Sequence, residues 1–129
     1  MLNVKKLLVK ILAFIYSLRV IQPSISISTT TGTLKGYQVH RYGNVVILSL
    51  GIQKSTTTAS GSNVYAGTIN TTALRPVHAI SGGTFYASYS LMGMLNASGG
   101  ITLRNANAST FQAVTGDNLI TVGFTYIVA

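Results

Sequence analysis

The sequence has no cysteine and no tryptophan, and its 129 residues include a single acidic side chain, Asp117. Without cysteine the chain can form neither a disulfide bond nor a thiolate metal site. General acid–base catalysis usually needs paired carboxylates or a histidine oriented by an acid, and only Asp117, His40 and His78 are available. Calcium and magnesium sites need several carboxylates. We therefore expect no enzymatic activity, no cofactor and no metal ion.

Charge is scarce and almost entirely positive. Charged residues make up 8% of the chain, whereas hydrophobic residues make up 47%, so few charges are available to cover a monomer's surface. This composition indicates burial between subunits. The net charge of +8 favours polyanionic partners such as nucleic acid, anionic lipid or phosphate-bearing cell-wall polymers. The basic residues of the later part of the chain are dispersed and do not interleave with aromatic residues, so we expect no nucleic-acid partner.

The composition changes sharply at Pro23. Leu, Ile, Val and Lys dominate before it, whereas Ser, Thr, Gly and Asn with alternating apolar residues follow it. Proline disfavours helix in the preceding residue and cannot extend a hydrogen-bonded ladder. We predict one helix over residues 2–21. We divide the chain into an oligomerising segment (1–22), a linker with a short strand (23–34) and a β-rich head domain (35–129).

Alternating apolar and polar residues, separated by turn signals, predict strands throughout the part that follows Pro23. "RYGNVV" (41–46) has the pattern of a hairpin with Gly43 and Asn44 at its turn. Beyond a short strand at residues 25–27, the predicted strands cover 35–42, 45–52, 64–72, 74–80, 84–95, 101–106, 109–115 and 119–129. This pattern is typical of an all-β antiparallel sandwich, and we predict a jelly-roll-like head.

The N-terminal segment carries apolar residues at alternating intervals of three and four, which is the a/d seam of a coiled coil. After Met1, the seam residues are Val4, Leu8, Ile11, Ile15 and Leu18. β-branched residues occupy both kinds of seam position, and further apolar residues widen the face. We therefore predict that three copies of this helix form a bundle. The basic residues lie off the seam, at Lys5, Lys6, Lys10 and Arg19.

Other interpretations of the same segment remain open. Lys5 and Lys6 precede a short apolar run (11–18), and small residues follow at 24–26, as in a secretory leader. Lys10 interrupts the apolar run, which argues against that interpretation. An amphipathic helix that lies on a surface is a further alternative. A spanning helix needs about 18 uncharged residues, which this segment lacks, so a membrane is not an expected partner.

Motifs of catalysis are missing: the chain has no G-x-S-x-G elbow, no P-loop and no H-E-x-x-H. Saccharide binding needs less, namely aromatic faces, amides, hydroxyls and arginine forks. The residues that place such groups in predicted loops or on polar strand faces are His40, Arg41, Tyr42, Tyr86, Arg104, Asn105, Asn107 and Asp117. We take these as candidate ligand-binding residues, although each of them also fits an ordinary solvated surface.

The order of segments resembles a known family. A helix, "LNVKKLLVKIL", precedes a β body that carries "GYQVHRYGNVVILSLGI", "LRPVHAI" and "GMLNASGGITLRNAN" and closes on "TVGFTYIVA". This arrangement is similar to the C-terminal head domains of tail-fibre and baseplate receptor-binding proteins from phages and prophages of Gram-positive bacteria. The likeness covers most of residues 30–129. The chain departs from the family in having no long stalk and no Trp, a frequent sugar-stacking residue.

The resemblance implies a homotrimer on the virion, at the tail tip or baseplate, with the helices bundled and the heads around a threefold axis. It implies attachment to a tail or baseplate protein through the helix, and adhesion to host cell-wall polysaccharide. Two alternatives remain open. One is a structural tail-tip protein of the virion that binds no receptor. The other is a secreted bacterial β-sandwich adhesin with residues 1–26 as its leader.

Overall fold

The structure, a computed structural model, describes residues 3–17, 20–85 and 91–129, without the side chains at 15–17 and 85. It contains one helix, α1 (Val4–Ser17), and a 3-10 turn at Thr72–Leu74. The strands are β1 (Ile27–Thr31), β2 (Thr33–Tyr42), β3 (Val45–Gln53), β4 (Asn63–Ile69), β5 (Ile80–Phe85), β6 (Leu91–Leu95), β7 (Gly100–Asn105) and β8 (Ile120–Ile127).

The helix α1 is shorter than the predicted range of 2–21. Asn3 caps its N-terminus, because the Asn3 side-chain oxygen accepts a hydrogen bond from the backbone N–H of Lys6 (3.3 Å). By Ile21 the chain is extended: the N–H and C=O of Ile21 bond to the C=O and N–H of Arg41 at 2.9 and 2.7 Å. Backbone pairing with β2 therefore replaces helix at the end of the predicted range.

The strands form one antiparallel sheet in the order β1-β4-β7-β6-β5-β8-β3-β2. Its two end strands, β1 and β2, are successive parts of one strand that bends at Gly32, where φ is +74°. A Cβ atom at this position would lie 2.6 Å from the backbone oxygen of Val64, so the bend needs glycine both for its dihedral angle and for space. Because β1 pairs with β4 and β2 with β3, the sheet curls back toward itself and is nearly barrel-like.

A second corner lies in β5. Its first residues, 80–82, pair with β6, whereas residues 83–85 pair with β8. We call the half made of β2, β3, β8 and residues 83–85 sheet A. We call the other half, made of β1, β4, β7, β6 and residues 80–82, sheet B. Strands that switch sheets at bends are the usual corners of folded-over sheets.

The prediction of a mostly antiparallel β fold with one short N-terminal helix is confirmed. The last four strands also have Greek-key order. β5, β6 and β7 are sequential antiparallel neighbours, and β8 returns to lie beside β5.

Every second residue of the central strands points between the two sheets and is buried. In β3 these residues are Val46, Leu48, Leu50 and Ile52, and in β8 they are Ile120, Val122, Phe124 and Tyr126. Each fully buried aliphatic side chain contributes roughly 1.5–3 kcal/mol to the stability of the folded chain. Tyr126 has a polar end in this core, and its hydroxyl donates to the Leu74 carbonyl oxygen at 2.8 Å. Burial raises the pKa of Tyr126 from 10.0 to about 12.

Three predicted strands differ from the structure. The range 84–95 is not one strand, because β5 ends at Phe85 and β6, its antiparallel neighbour, begins at Leu91. The range 74–80 contains the end of the 3-10 turn and a single bridge from Pro76 to Val128. The range 109–115 makes only isolated bridges, at Phe111 and Val114. The body also begins earlier than 35, since Ile25 is buried in the core and β1 belongs to the sheet.

Candidate functional site

The candidate ligand-binding residues fall into three places and do not converge. His40, Arg41 and Tyr42 lie at the end of β2, whereas Arg104, Asn105 and Asn107 lie at and beyond the end of β7. Asp117 lies in the turn before β8, and Tyr86 lies outside the described residues. In sheet A, Thr33 pairs with Gln53 at one end and Tyr42 pairs with Val45 at the other.

Asp117 and His40 are at opposite ends of sheet A. Gln53 fixes the Asp117 turn, since its side-chain nitrogen donates to the carbonyl oxygens of Gly116 (2.6 Å) and Asn118 (2.8 Å). At about 3.3 Å per residue, the seven residues from Thr33 to His40 span roughly 23 Å. One small ligand cannot contact both side chains.

Asn105 has a structural role. It is completely buried, and its amide nitrogen donates to the carbonyl oxygens of Thr58 (3.1 Å) and Ser109 (2.9 Å). Its side-chain oxygen accepts the backbone N–H of Asn107 (3.1 Å). The three hydrogen bonds tie together the loops after β3 and β7, and the side chain presents no surface to a ligand.

Both candidate arginines brace neighbouring turns. The Arg41 Nε atom donates to the Gly43 carbonyl oxygen in the β2–β3 turn at 2.7 Å. The Arg104 Nε atom donates to the Gly61 carbonyl oxygen at 2.8 Å. These bonds hold each guanidinium against its own body, which reduces its freedom to reach a ligand.

A cavity of about 380 Å³ lies along the free edge of β2, next to His40. It is lined by Gln22, Pro23, Tyr37, Gln38, Val39 and His40. The volume is at the small end of the range for small-molecule sites. Of the candidate ligand-binding residues, this cavity takes in His40 alone.

Proline explains why the cavity exists. The backbone groups of Arg41 bond to Ile21 and so point away from β3, and alternation gives Val39 and Tyr37 the same outward direction. The N-terminal segment begins a ladder with β2 at Ile21, but Pro23 has no N–H with which to continue it. The segment therefore leaves the strand edge, and outward-facing backbone groups of β2 border the resulting space.

The described lining of the cavity combines hydrogen-bonding groups with one aromatic ring and includes no Lys, Arg, Asp or Glu. Gln22 and Gln38 offer amides, His40 offers an imidazole, and Tyr37 offers a ring that is about half exposed. Such a set suits a neutral polyhydroxylated ligand that packs a C–H face on the ring. Sequence reasoning missed Gln22, Pro23, Tyr37 and Gln38. Their one sequence signal was a proline placed shortly before an alternating strand.

The helix α1 is a second surface with functional potential. All its described side chains from Val4 to Phe14 are exposed. The seam residues Val4, Leu8 and Ile11 are 72%, 54% and 45% exposed, so none of them is buried against the β body. The side chain of Ile15 and the whole of Leu18 lie outside the described part of the chain.

Within residues 3–17, 20–85 and 91–129, no group of three or more His, Asp or Glu side chains is placed to hold a metal ion. In the same part of the chain, no helix is both long and apolar enough to cross a bilayer. No protein-family model matches this sequence, and a search of curated proteins finds no match.

Proposed function

We propose that this chain is a homotrimeric adhesion protein of a phage tail, in which α1 bundles the copies and the β body is a jelly-roll-like receptor-binding head. Its ligand in this proposal is a saccharide of the host cell surface. The resemblance described above supplies the virion setting, the attachment of α1 to a tail or baseplate protein, and the jelly-roll expectation. The Greek-key order of β5 to β8 agrees with that expectation, because a jelly roll consists of two Greek keys.

One observation carries the proposal: the described seam side chains of α1, those of Val4, Leu8 and Ile11, are not buried against its own chain. An isolated helix of 14 residues is marginal in water, and its stability in proteins comes mainly from packing an apolar face. Val4, Leu8 and Ile11 recur at coiled-coil spacing and are all exposed. Copies of the same helix are the partner that such a seam fits.

The lysines of α1 fit a helix bundle as well. Lys6 and Lys10 lie across the helix from the seam, so three copies can meet while these positive charges stay in water. Burying a lysine without a partner would be costly, and α1 has no acidic residue to pair with it. The arrangement therefore keeps the interface of the bundle apolar.

The saccharide part of the proposal rests on the cavity beside β2. A neutral sugar presents hydroxyl groups that both donate and accept hydrogen bonds, which match the amides, the imidazole and the outward-facing backbone of β2. The Tyr37 ring supplies the apolar contact that Trp supplies in many sugar sites. A neutral sugar therefore fits this cavity better than a phosphate-bearing polymer does.

The assembly is tested by measuring mass in solution. The intact chain should have the mass of three copies, and Ile11→Asp should shift it toward the 13.6 kDa of one copy, because a carboxylate enters a dry seam. Val9→Asp is the matched control, since Val9 is an exposed β-branched residue of the same helix that lies off the seam. A chain that stays monomeric at high concentration would disprove the trimer.

Binding is tested on glycan arrays and on whole host cells with the assembled protein. Tyr37→Ala should weaken binding at least about tenfold, corresponding to a loss of about 1.4 kcal/mol of binding free energy. Met92→Ala is the control, because Met92 is as exposed as Tyr37, at 49% each, but lies on β6 and does not line the cavity. Equal loss in both variants would move the site away from the cavity. Binding to no glycan and no cell would favour a purely structural tail-tip protein.

The adhesin with a cleaved leader is distinguished by N-terminal sequencing of the native protein. Removal of residues 1–26 would take away Ile25, which is buried in the core, and Ile21, which pairs with Arg41. It would also remove Gln22 and Pro23 from the cavity. A mature N-terminus near residue 27 would therefore refute both the bundle and the cavity as proposed.

A further inference from the structure

The outer face of sheet A, the side away from the core, has an unusual composition. Cross-strand pairing arranges it in four rows: Gly36, Gly51, Thr121 and Phe85; Gln38, Ser49, Gly123 and Gly83; His40, Ile47 and Thr125; and Tyr42, Val45 and Ile127. None of these residues is Lys, Arg, Asp or Glu. Gly36, Gly51, Gly83 and Gly123 lie toward one end of the face, and we call them the glycine floor. The other end carries exposed apolar side chains.

Three of these glycines are not required by the fold of the single chain. A Cβ atom at Gly36, Gly83 or Gly123 would have no atom within 4 Å, and none of the three has a positive φ. Glycine in a strand weakens it, because it adds backbone entropy and no packing. By contrast, Gly82 and Gly93 have core atoms at 2.5 Å and 3.0 Å from the position of a Cβ atom, so the core itself accounts for them.

Glycines that the chain does not need for itself indicate that something outside the chain approaches the backbone closely. Of the three open glycines, Gly36 lines a hollow of about 390 Å³, together with Tyr37, Gln38, Ser49, Gly51, Leu119 and Thr121. Beside it stand Ile47 and Ile127, which are 40% and 50% exposed. One copy of the chain therefore offers both a hollow and raised apolar side chains on the same face.

The net charge of the chain indicates which partner this uncharged face suits. Each copy carries +8, so two copies approach at the lowest electrostatic cost through surfaces without charge. The outer face of sheet A is such a surface, whereas on the outer face of sheet B Arg104 pairs with Met92 across the strands. A polyanionic partner would gain nothing from a face without lysine or arginine.

We infer that the outer face of sheet A is an interface at which a neighbouring copy of this chain packs its apolar side chains onto the glycine floor. The inference deepens the proposed function and rests on it, because it names the surface through which the heads of the trimer meet. Gln38 and His40 of this face also line the cavity beside β2, so in the trimer the saccharide site lies at the border between two heads. In a closed ring of three, the contact is heterologous: the apolar end of one head meets the hollow of the next.

The face is large enough to supply part of such an interface. Three strands about 4.8 Å apart and seven residues long, with the three residues of β5 beside them, cover roughly 400 Å² at about 3.3 Å per residue. A stable interface usually buries about 800 Å² on each partner. The face alone therefore supplies about half of what is needed, and α1, which leads into sheet A through the Ile21–Arg41 pair, supplies further area between the same copies.

Thiol protection tests the inference directly, because the chain has no cysteine of its own. Ile47→Cys places one thiol on the proposed interface, and Met94→Cys places one on the outer face of sheet B. The two native side chains are 40% and 44% exposed, so they are a matched pair. As the protein assembles with rising concentration, maleimide labelling of Ile47→Cys should slow at least about tenfold, whereas labelling of Met94→Cys should not change.

A second pair of variants tests whether the face contributes to assembly. Gly123→Arg adds bulk and charge at the centre of the face, where the fold has room for it. Ser81→Arg adds the same group on the outer face of sheet B. Gly123→Arg should raise the concentration at which trimers dissociate at least about tenfold, and Ser81→Arg should leave it unchanged. Circular dichroism checks that both variants are folded.

The outcomes separate the two proposals. If the chain forms trimers but Ile47→Cys labels as fast in the trimer as in the monomer, the heads meet elsewhere and the inference is overturned while the helix bundle stands. If mass measurement finds only monomers, both the proposed trimer and the inferred interface between heads are wrong. Protection of Ile47→Cys that appears only on adding another protein or a glycan would also overturn it, because the occupant would not be a second copy.

Discussion

The neighbouring glycines Gly82 and Gly83 should respond oppositely to the same change. In β5, Gly82 faces the core at the corner between the two sheets, whereas Gly83 faces outward on sheet A. A Cβ atom at Gly82 would lie 2.5 Å from the Phe124 ring and 2.8 Å from the Gly123 carbonyl oxygen. A Cβ atom at Gly83 would have no atom within 4 Å.

The expected change in the free energy of unfolding follows from these distances for each substitution. Carbon atoms pack best at about 3.5–4.0 Å, so Gly82→Ala forces a shift of about 1 Å in a fully buried ring or in sheet backbone. Such overpacking costs about 1–3 kcal/mol. Gly83→Ala meets nothing and restricts the unfolded chain, which should stabilise the fold by about 0.4–1 kcal/mol. At roughly 4 °C per kcal/mol, Tm should fall by about 4–12 °C in Gly82→Ala and rise by about 2–4 °C in Gly83→Ala.

Thermal and urea unfolding, followed by circular dichroism and tyrosine fluorescence, measure the difference. All variants are compared at one protein concentration, low enough that assembly does not add to stability. Equal destabilisation by the two substitutions, or a larger loss in Gly83→Ala, would refute the register of β5. A slip of one residue exchanges the two faces of a strand, so the outer face of sheet A would then be assigned wrongly as well.

Two further predictions concern buried polar groups. Because burial raises the pKa of Tyr126 from 10.0 to about 12, its contribution to stability should be complete below pH 10 and should disappear as pH rises toward 12. Two pH units correspond to about 3 kcal/mol, and urea unfolding at several alkaline pH values, with Tyr126→Phe for comparison, measures the loss. Asn105→Asp replaces a donor that faces the carbonyl oxygens of Thr58 and Ser109 with a carboxylate, and should cost at least about 2–3 kcal/mol at neutral pH. Since the introduced carboxyl group can donate there only when it is protonated, this penalty should shrink as pH falls toward about 4; a penalty independent of pH would contradict the proposed cause.

Local patterns in the sequence predicted much of the fold. The apolar run at 45–52 identified β3 as a buried strand, and period-two alternation at 119–129 identified β8, one face of which lies in the core. Gly43 and Asn44 identified the β2–β3 turn, and Asn96 to Gly100 identified the turn before β7. The range 84–95 shows the limit of this reasoning. Its alternation continues through two strands, so periodicity alone did not reveal where β5 ends and β6 begins.

The candidate site was less predictable because it depends on contacts between distant segments. Asn105 has the side chain of a ligand-binding residue, but the loops around Thr58 and Ser109 enclose it. His40 borders a cavity only because Pro23, far away in sequence, directs the N-terminal segment off the edge of β2. Contacts between segments that are distant in the chain produce no periodic pattern of residues in a single sequence.

The sequence by itself determined the antiparallel β class, the short N-terminal helix with its heptad spacing, and the scarcity of acids that argues against acid–base chemistry. These follow from residue type and local spacing, which act within a few residues. Only the tertiary structure decided that Gly32 and β5 are corners, and that Gly36, Gly83 and Gly123 share one open face of sheet A. Strand register decides which glycines face core atoms and which face open space. Register in turn is fixed by packing between side chains of strands that are far apart in the chain.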